Sequence, residues 1–89
     1  MICIPTSDEE YHQWLESNEG GYVVNSDKSL KALTLPMLHR AVCDHINDVN
    51  TPNYTTAHLK ICSTKQEDLE FWLRLYDERE LKLCKSCAP

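Results

Sequence analysis

Residues 84–87 read C-K-S-C and residues 39–43 read H-R-A-V-C. A C-x-x-C turn is a common way to present two thiolates to one tetrahedral metal ion, and the H-x-x-x-C stretch adds an imidazole and a third thiolate. His39, Cys43, Cys84 and Cys87 therefore predict a closed structural zinc site of the Cys3His type. Forty residues lie between Cys43 and Cys84, so the metal would tie the middle of the chain to its C-terminal end.

Other ligand assignments stay open at this point. His45 lies two residues beyond Cys43 and could replace His39 as the fourth ligand. Cys62 sits in an alternating stretch, which favours a buried small side chain over a ligand, because free cysteine is among the most buried residue types. The simplest alternative is a reduced, metal-free pair of thiols in the C-terminal turn. Cysteine or histidine residues without a predicted role are Cys3, His12 and His58.

Four protein ligands argue against a zinc enzyme. Hydrolytic zinc needs an open coordination position and a general base, and three thiolates make a poor Lewis acid. A deaminase would carry a glutamate two residues after the histidine, where this chain has Ala41. A Cys-His nucleophile pair, such as Cys62 with His58 or His45, rests only on proximity in sequence. We therefore expect no catalytic residues.

The length of 89 residues predicts one domain, residues 1–89, close to the size at which a single hydrophobic core is only marginally sufficient. Hydrophobic residues make up 42% and charged residues 26% of the chain, a globular balance. Structural zinc contributes about 10–16 kcal/mol in finger-sized peptides, enough to decide whether such a chain folds.

The net charge is −5, from nine basic and fourteen acidic residues. An acidic domain starts at a disadvantage in non-specific nucleic-acid binding, which depends on neutralised phosphates. Five cysteines argue against a fully paired disulfide framework. The N-terminal residues lack the features of a signal peptide, and no apolar run has the length of a membrane span. These features predict a cytoplasmic protein without a membrane partner.

The hydrophobic pattern predicts an α+β fold, with about three antiparallel strands and two helices. A capping box at Ser7 opens a helix over about residues 8–18, and Gly20-Gly21 ends it. Strands are predicted at 22–25, about 32–38 and 59–62. The first two are expected to form an antiparallel hairpin that places His39 at the metal site. Residues 44–56 have the composition of a surface loop.

The second helix is predicted from a capping box at Thr64 and has the best apolar stripe in the chain, formed by Leu69, Trp72, Leu73 and Tyr76. Phe71 and Leu75 form an additional i, i+4 pair off that stripe. This surplus of apolar surface is typical of a protein interface or of a helix buried on two sides.

Several stretches resemble a small zinc-binding module appended to bacterial nucleases, including HNH-type restriction endonucleases. They read G-Y-V-V-N, L-H-R-A-V-C-D-H-I, L-K-I-C, L-E-F-W-L and L-K-L-C-K-S-C-A-P, within residues 21–89. The skeleton H-R-x-x-C followed by C-x-x-C-x-P is also similar to the Ada-type metal-binding domain and to the tails of some thermonuclease-like proteins. The resemblance implies the same four ligands. The Ada-type domain has four cysteines, one of them a methyl acceptor, whereas this chain has His39 in the first position.

Three functions follow as hypotheses. The first is a non-catalytic zinc module that binds nucleic acid or a nucleic-acid-processing protein, with Arg40, Lys82 and Lys85 as the phosphate contacts. The second is an acidic adaptor or inhibitor that docks on a protein, or dimerises, through Phe71 and Leu75 or through the acidic first helix. The third is a zinc-thiolate methyl acceptor.

Overall fold

The computed structural model describes residues 2–27, 36–43, 46, 59–76 and 80–87. Their elements are, in chain order, α1 (Asp8–Ser17), β1 (Tyr22–Ser26), β2 (Met37–Arg40), β3 (Leu59–Ser63), α2 (Gln66–Tyr76) and β4 (Lys82–Leu83). The predicted α+β class is confirmed, with four strands in the sheet instead of about three. Residues 32–35 of the predicted second strand and most of the predicted loop 44–56 lie outside the described residues.

The sheet is mixed and has the strand order β3-β1-β2-β4. β1 is antiparallel to both of its neighbours, and its Val23 lies opposite His39 of β2 and Cys62 of β3. β4 pairs in parallel with β2, with Leu83 opposite Leu38. The predicted hairpin pairing of β1 with β2 is thus confirmed. The parallel β4, which immediately precedes Cys84, is what brings the C-x-x-C turn beside the end of β2.

Helix α1 begins where the sequence predicts. The Ser7 hydroxyl accepts a hydrogen bond from the backbone N–H of Glu10 (3.2 Å), and acidic residues occupy the first turn, where the positive end of the helix dipole favours them. The chain then turns sharply at Gly21. A Cβ added there would lie 2.8 Å from Cη2 of Trp14 and 3.1 Å from the carbonyl oxygen of Ser63. A glycine is required by this close approach.

Helix α2 begins at Gln66, two residues later than the predicted cap at Thr64. Ser63 is the side chain that contacts this end of the helix. Its hydroxyl donates to the Asp68 carboxylate (2.9 Å), and its oxygen accepts the Lys65 N–H (3.1 Å). The hydrophobic stripe is confirmed at Leu69 and Leu73, which are buried.

Side chains alternate between the two faces of the sheet and form two separate cores. The first core lies on the α1 face and the second on the α2 face. The first consists of Tyr11, Leu15, Val23, Ala41, Cys43, Ile46, Cys62 and Cys84, and the second of Val24, Leu38, Ile61, Leu69 and Leu73. His39, opposite Val23, points to the α1 face, so the predicted ligands belong to the first core.

Part of α2 remains outside both cores. Phe71 is 61% exposed, Leu75 is 60% exposed and Tyr76, which the stripe would place inward, is 61% exposed. With Ile2, Asp68 and Trp72 they line a cavity of about 360 Å³. Among the described residues, no helix has the length and apolar character that a membrane crossing requires.

Candidate metal centre

The first two predicted ligands are placed by β2 and the turn that follows it. His39 is the third residue of β2 and is 4% exposed. After Arg40 the chain turns, because the Cys43 N–H bonds to the Arg40 carbonyl oxygen (3.0 Å) and the Ala41 N–H bonds to the Gly21 carbonyl oxygen (3.0 Å). This turn directs Cys43 back toward His39, which explains the spacing of four residues.

The last two ligands are placed by β4 and the C-x-x-C turn. The Cys84 N–H continues the parallel ladder by bonding to the Leu38 carbonyl oxygen (3.0 Å). The turn at residues 85–87 then brings Cys87 under β2, where its Sγ accepts a hydrogen bond from the Arg40 backbone N–H (3.3 Å). Cys84 and Cys87 are thus both hydrogen-bonded to the backbone of β2, the strand that contains His39.

The four donor groups converge. Ligand atoms of His39, Cys43, Cys84 and Cys87 all lie within 4.8 Å of one another. Cys43 Sγ and Cys84 Sγ are 3.9 Å apart, close to the ~3.8 Å that two thiolates have on a tetrahedral ion with metal–sulfur bonds of about 2.3 Å. The spacing is far longer than a disulfide bond. The group that the sequence singled out is therefore assembled with the dimensions of a metal site.

Burial and hydrogen bonding suit thiolates. Cys43 and Cys84 are 5% and 3% exposed, and Cys87 is half-buried. Burial alone would raise the pKa of Cys84, but the backbone N–H groups of Cys87 and Ser86 donate to its sulfur and, with the neighbouring thiols, lower the pKa to about 7. N–H donors of this kind stabilise a bound thiolate and orient it.

The donor set fits a metal ion. Three thiols and one imidazole are soft ligands, and four of them fill a tetrahedral shell. The Nδ1 atom of His39 is buried and makes no hydrogen bond within the described residues. Four such donors could fill a tetrahedral shell without a water ligand, and the structural role of the centre stays a prediction.

The basic residues assigned to phosphate contact flank the candidate ligands in sequence. Arg40 and Lys85 are exposed and each lies between two ligands in sequence, while Lys82 is half-buried on β4. The Lys82 ammonium donates to the Glu80 carbonyl oxygen (3.4 Å). Cys62, predicted as a core residue, is fully buried. His45 and His58, the alternative ligand and base, lie outside the described residues, so the alternative with His45 stays a prediction.

Two further features involve residues to which the sequence assigned no role in a site. Cys3 pairs with Cys62 in an antiparallel bridge, so the N-terminal segment, whose apolar residues are typical of an edge strand, extends the sheet beyond β3. Lys60 is 4% exposed, and its ammonium donates to Asn25 Oδ1. Apolar and polar residues alternate over 59–62, and in a strand Lys60 and Cys62 project from the same face of the sheet. Because Cys62 is expected to be buried, the same pattern indicates the burial of Lys60.

Comparison with models of known protein families, with curated proteins and with solved structures gives no match to this chain. The resemblance to nuclease-associated and Ada-type modules therefore stays a prediction. It is supported only in its coarsest part, the convergence of one histidine and three cysteines.

Proposed function

We propose that the protein is a non-catalytic zinc module and that zinc, held by His39, Cys43, Cys84 and Cys87, fastens the C-terminal turn to β2. The convergence of these four donors within 4.8 Å carries the proposal. Zinc is favoured because thiolate and imidazole ligands in a closed tetrahedral set are the composition of structural zinc sites.

The proposed role of the module is to bind nucleic acid through Arg40, Lys82 and Lys85. A zinc ion with three thiolates and one neutral imidazole carries −1, and the three basic side chains, which flank the ligands in sequence, would offset this charge within a chain of net charge −5. Two of them lie between ligands, so the metal would fix the backbone that presents them. A positive patch of fixed geometry is what phosphate recognition requires.

The test is retention of the zinc-loaded protein on DNA and RNA, measured as a function of salt. The Lys82→Glu/Lys85→Glu double variant should lose binding, and the wild-type slope of log affinity against log salt should indicate about two or three phosphate contacts, at ~0.7–0.9 per contact. The matched control is Lys65→Glu/Arg74→Glu, which changes the net charge equally at exposed positions on α2 and before it. Equal retention of both double variants, or no retention of the wild type, would refute this role.

A second candidate function is self-association through α2. Its exposed apolar residues Phe71, Leu75 and Tyr76 are a surface that monomeric proteins rarely leave open. The occupant that the charges favour is a second copy packed antiparallel. With Phe71 and Leu75 at the centre of such a pair, Glu70 of each copy would lie beside Arg74 of the other.

A charge exchange tests this packing. In sedimentation experiments, Glu70→Arg should weaken the dimer by placing two cations together, and Glu70→Arg/Arg74→Glu should restore it. A wild-type monomer at high concentration, or a double variant as weak as the single one, would refute the dimer. The methyl-acceptor hypothesis stays a prediction, and Cys87 is the half-buried ligand that a methyl donor would reach first.

A further inference from the structure

Two of the five cysteines lie outside the candidate metal centre and face each other across the edge of the sheet. Cys3 and Cys62 form an isolated antiparallel bridge. The N–H of each bonds to the carbonyl oxygen of the other, and both bonds measure 2.8 Å. We propose that Cys3 and Cys62 are a dithiol site that is oxidised reversibly to a cross-strand disulfide by low-molecular-weight disulfides.

The backbone geometry supports this pairing. Residues that exchange both hydrogen bonds in an antiparallel pair have Cα atoms about 5.5 Å apart, near the middle of the range that disulfides span. Directly opposite residues also project from the same face of the sheet. Cys62 belongs to the core on the α1 face, and Cys3 packs against that core, so both side chains point to one side.

The same geometry makes the bond reversible. In a hydrogen-bonded pair the Cβ atoms are about 5 Å apart, whereas a relaxed disulfide brings them to about 3.8 Å. The strand ends must approach by roughly 1 Å, and strained disulfides are the ones that are most readily reduced. The Cys3 side of the pair is an isolated bridge, so the N-terminal segment can make this shift more easily than β3.

Accessibility sets the order of the reaction. Burial raises the pKa of both thiols, that of Cys62 to about 12, but Cys62 is fully buried whereas Cys3 is half-buried and can be reached by an external disulfide. The Cys3 thiolate therefore attacks the external disulfide first, forming a mixed disulfide and releasing one thiol. Cys62 then loses its proton, attacks the Cys3 sulfur and releases the second thiol. The protein dithiol loses two electrons and two protons, and the external disulfide becomes two thiols.

The experiment is thiol mapping of the zinc-loaded protein after incubation with oxidised glutathione. Free thiols are alkylated under denaturing conditions, and the chain is digested with trypsin. Each cysteine then falls in its own peptide, with Cys3 in residues 1–28 and Cys62 in residues 61–65. The expected product is these two peptides joined by a disulfide, and it should disappear after treatment with reduced glutathione.

Two variants separate the steps. Cys62→Ala should stop at the mixed disulfide, with one glutathionyl group on Cys3, and Cys3→Ser should leave Cys62 unmodified. Recovery of all five thiols, or a crosslink that joins Cys3 or Cys62 to one of the other three cysteines, would overturn the proposal. A crosslink between Cys43 and Cys84 would instead count against the zinc centre, so failures of the two proposals are distinguishable.

Discussion

Removal of the proposed zinc ion is the perturbation to which this fold should be most sensitive. A domain of 89 residues has a free energy of unfolding of about 4–13 kcal/mol, at roughly 0.05–0.15 kcal/mol per residue. Structural zinc in comparable small sites contributes about 10–16 kcal/mol, which is comparable to that total or larger. We therefore expect the apo protein to lose the sheet pairing between β2 and β4, and in the limit to unfold as a whole.

The structure indicates which part of the sheet should open first when the metal is removed. Among the described strands, β4 has two residues and pairs with β2 alone, so without the metal a short parallel ladder must hold the C-terminal turn. The thiols of Cys43 and Cys84, 3.9 Å apart, would lose the ion that compensates their burial. β1 and β3 share a five-residue register and a core with α2, and should be the last part to open.

The assay is native mass spectrometry combined with urea unfolding, with and without a chelator. One zinc ion per chain is expected, lost in His39→Ala and Cys84→Ser together with most of the stability. Binding should release thiol protons, so affinity should increase as the pH rises. Cys62→Ala is the matched control, since it removes a buried thiol outside the centre and should retain the metal. An equal free energy of unfolding with and without the chelator would refute a structural role for the ion.

Three further predictions concern the scaffold. Burial lowers the pKa of Lys60 to about 8 from 10.5, so the unfolded chain binds more protons between these values. In urea titrations the stability of the wild type relative to Lys60→Met should therefore rise with pH over that window, by at most ~3 kcal/mol. The buried Cys62 thiol, whose pKa is raised to about 12, opposes this rise in both proteins, so the difference between the two is the quantity to measure; equal slopes would contradict the burial. In thermal unfolding, Gly21→Ala should lower the free energy of unfolding by about 1–3 kcal/mol, because the added methyl group clashes with Trp14. Gly20→Ala should leave it nearly unchanged, because a Cβ at Gly20 meets open space. Tyr11→Phe leaves the Ile46 carbonyl oxygen without its 2.8 Å hydrogen bond and should lower the free energy of unfolding by about 1–2 kcal/mol. An unchanged free energy of unfolding in the same assay would contradict this.

Local patterns were sufficient to predict most elements and the convergence of the ligands. The start of α1 and the strand β1 could be predicted because the capping box at Ser7 and the β-branched run after Gly21 are each patterns of a few consecutive residues. The ligand set could be predicted because tetrahedral coordination restricts both residue type and spacing. The predicted helix over 8–18 and strand over 22–25 differ from α1 and β1 by one residue at their C-terminal ends.

The features that were missed depend on contacts between distant residues. Residues 81–83 are typical of a short strand or a turn before the C-x-x-C stretch, but nothing local marks the parallel pairing of β4 with β2. The bridge between Cys3 and Cys62 joins segments that are separated by most of the chain, and no local pattern marks it. Tyr76 continues the apolar stripe of α2 in sequence but lies in its last turn and is exposed.

The way in which the sheet ends on its two sides bears on solubility. An open strand edge is a template on which another chain can add a strand and begin to aggregate. The β3 edge is covered at Cys62 by the two backbone hydrogen bonds of Cys3, and the β2 edge by the very short β4, which contains Lys82. Short edge strands and edge lysines are common protections against such growth. Deletion of residues 1–5 should uncover the β3 edge and increase aggregation at high concentration, even where the metal centre remains intact.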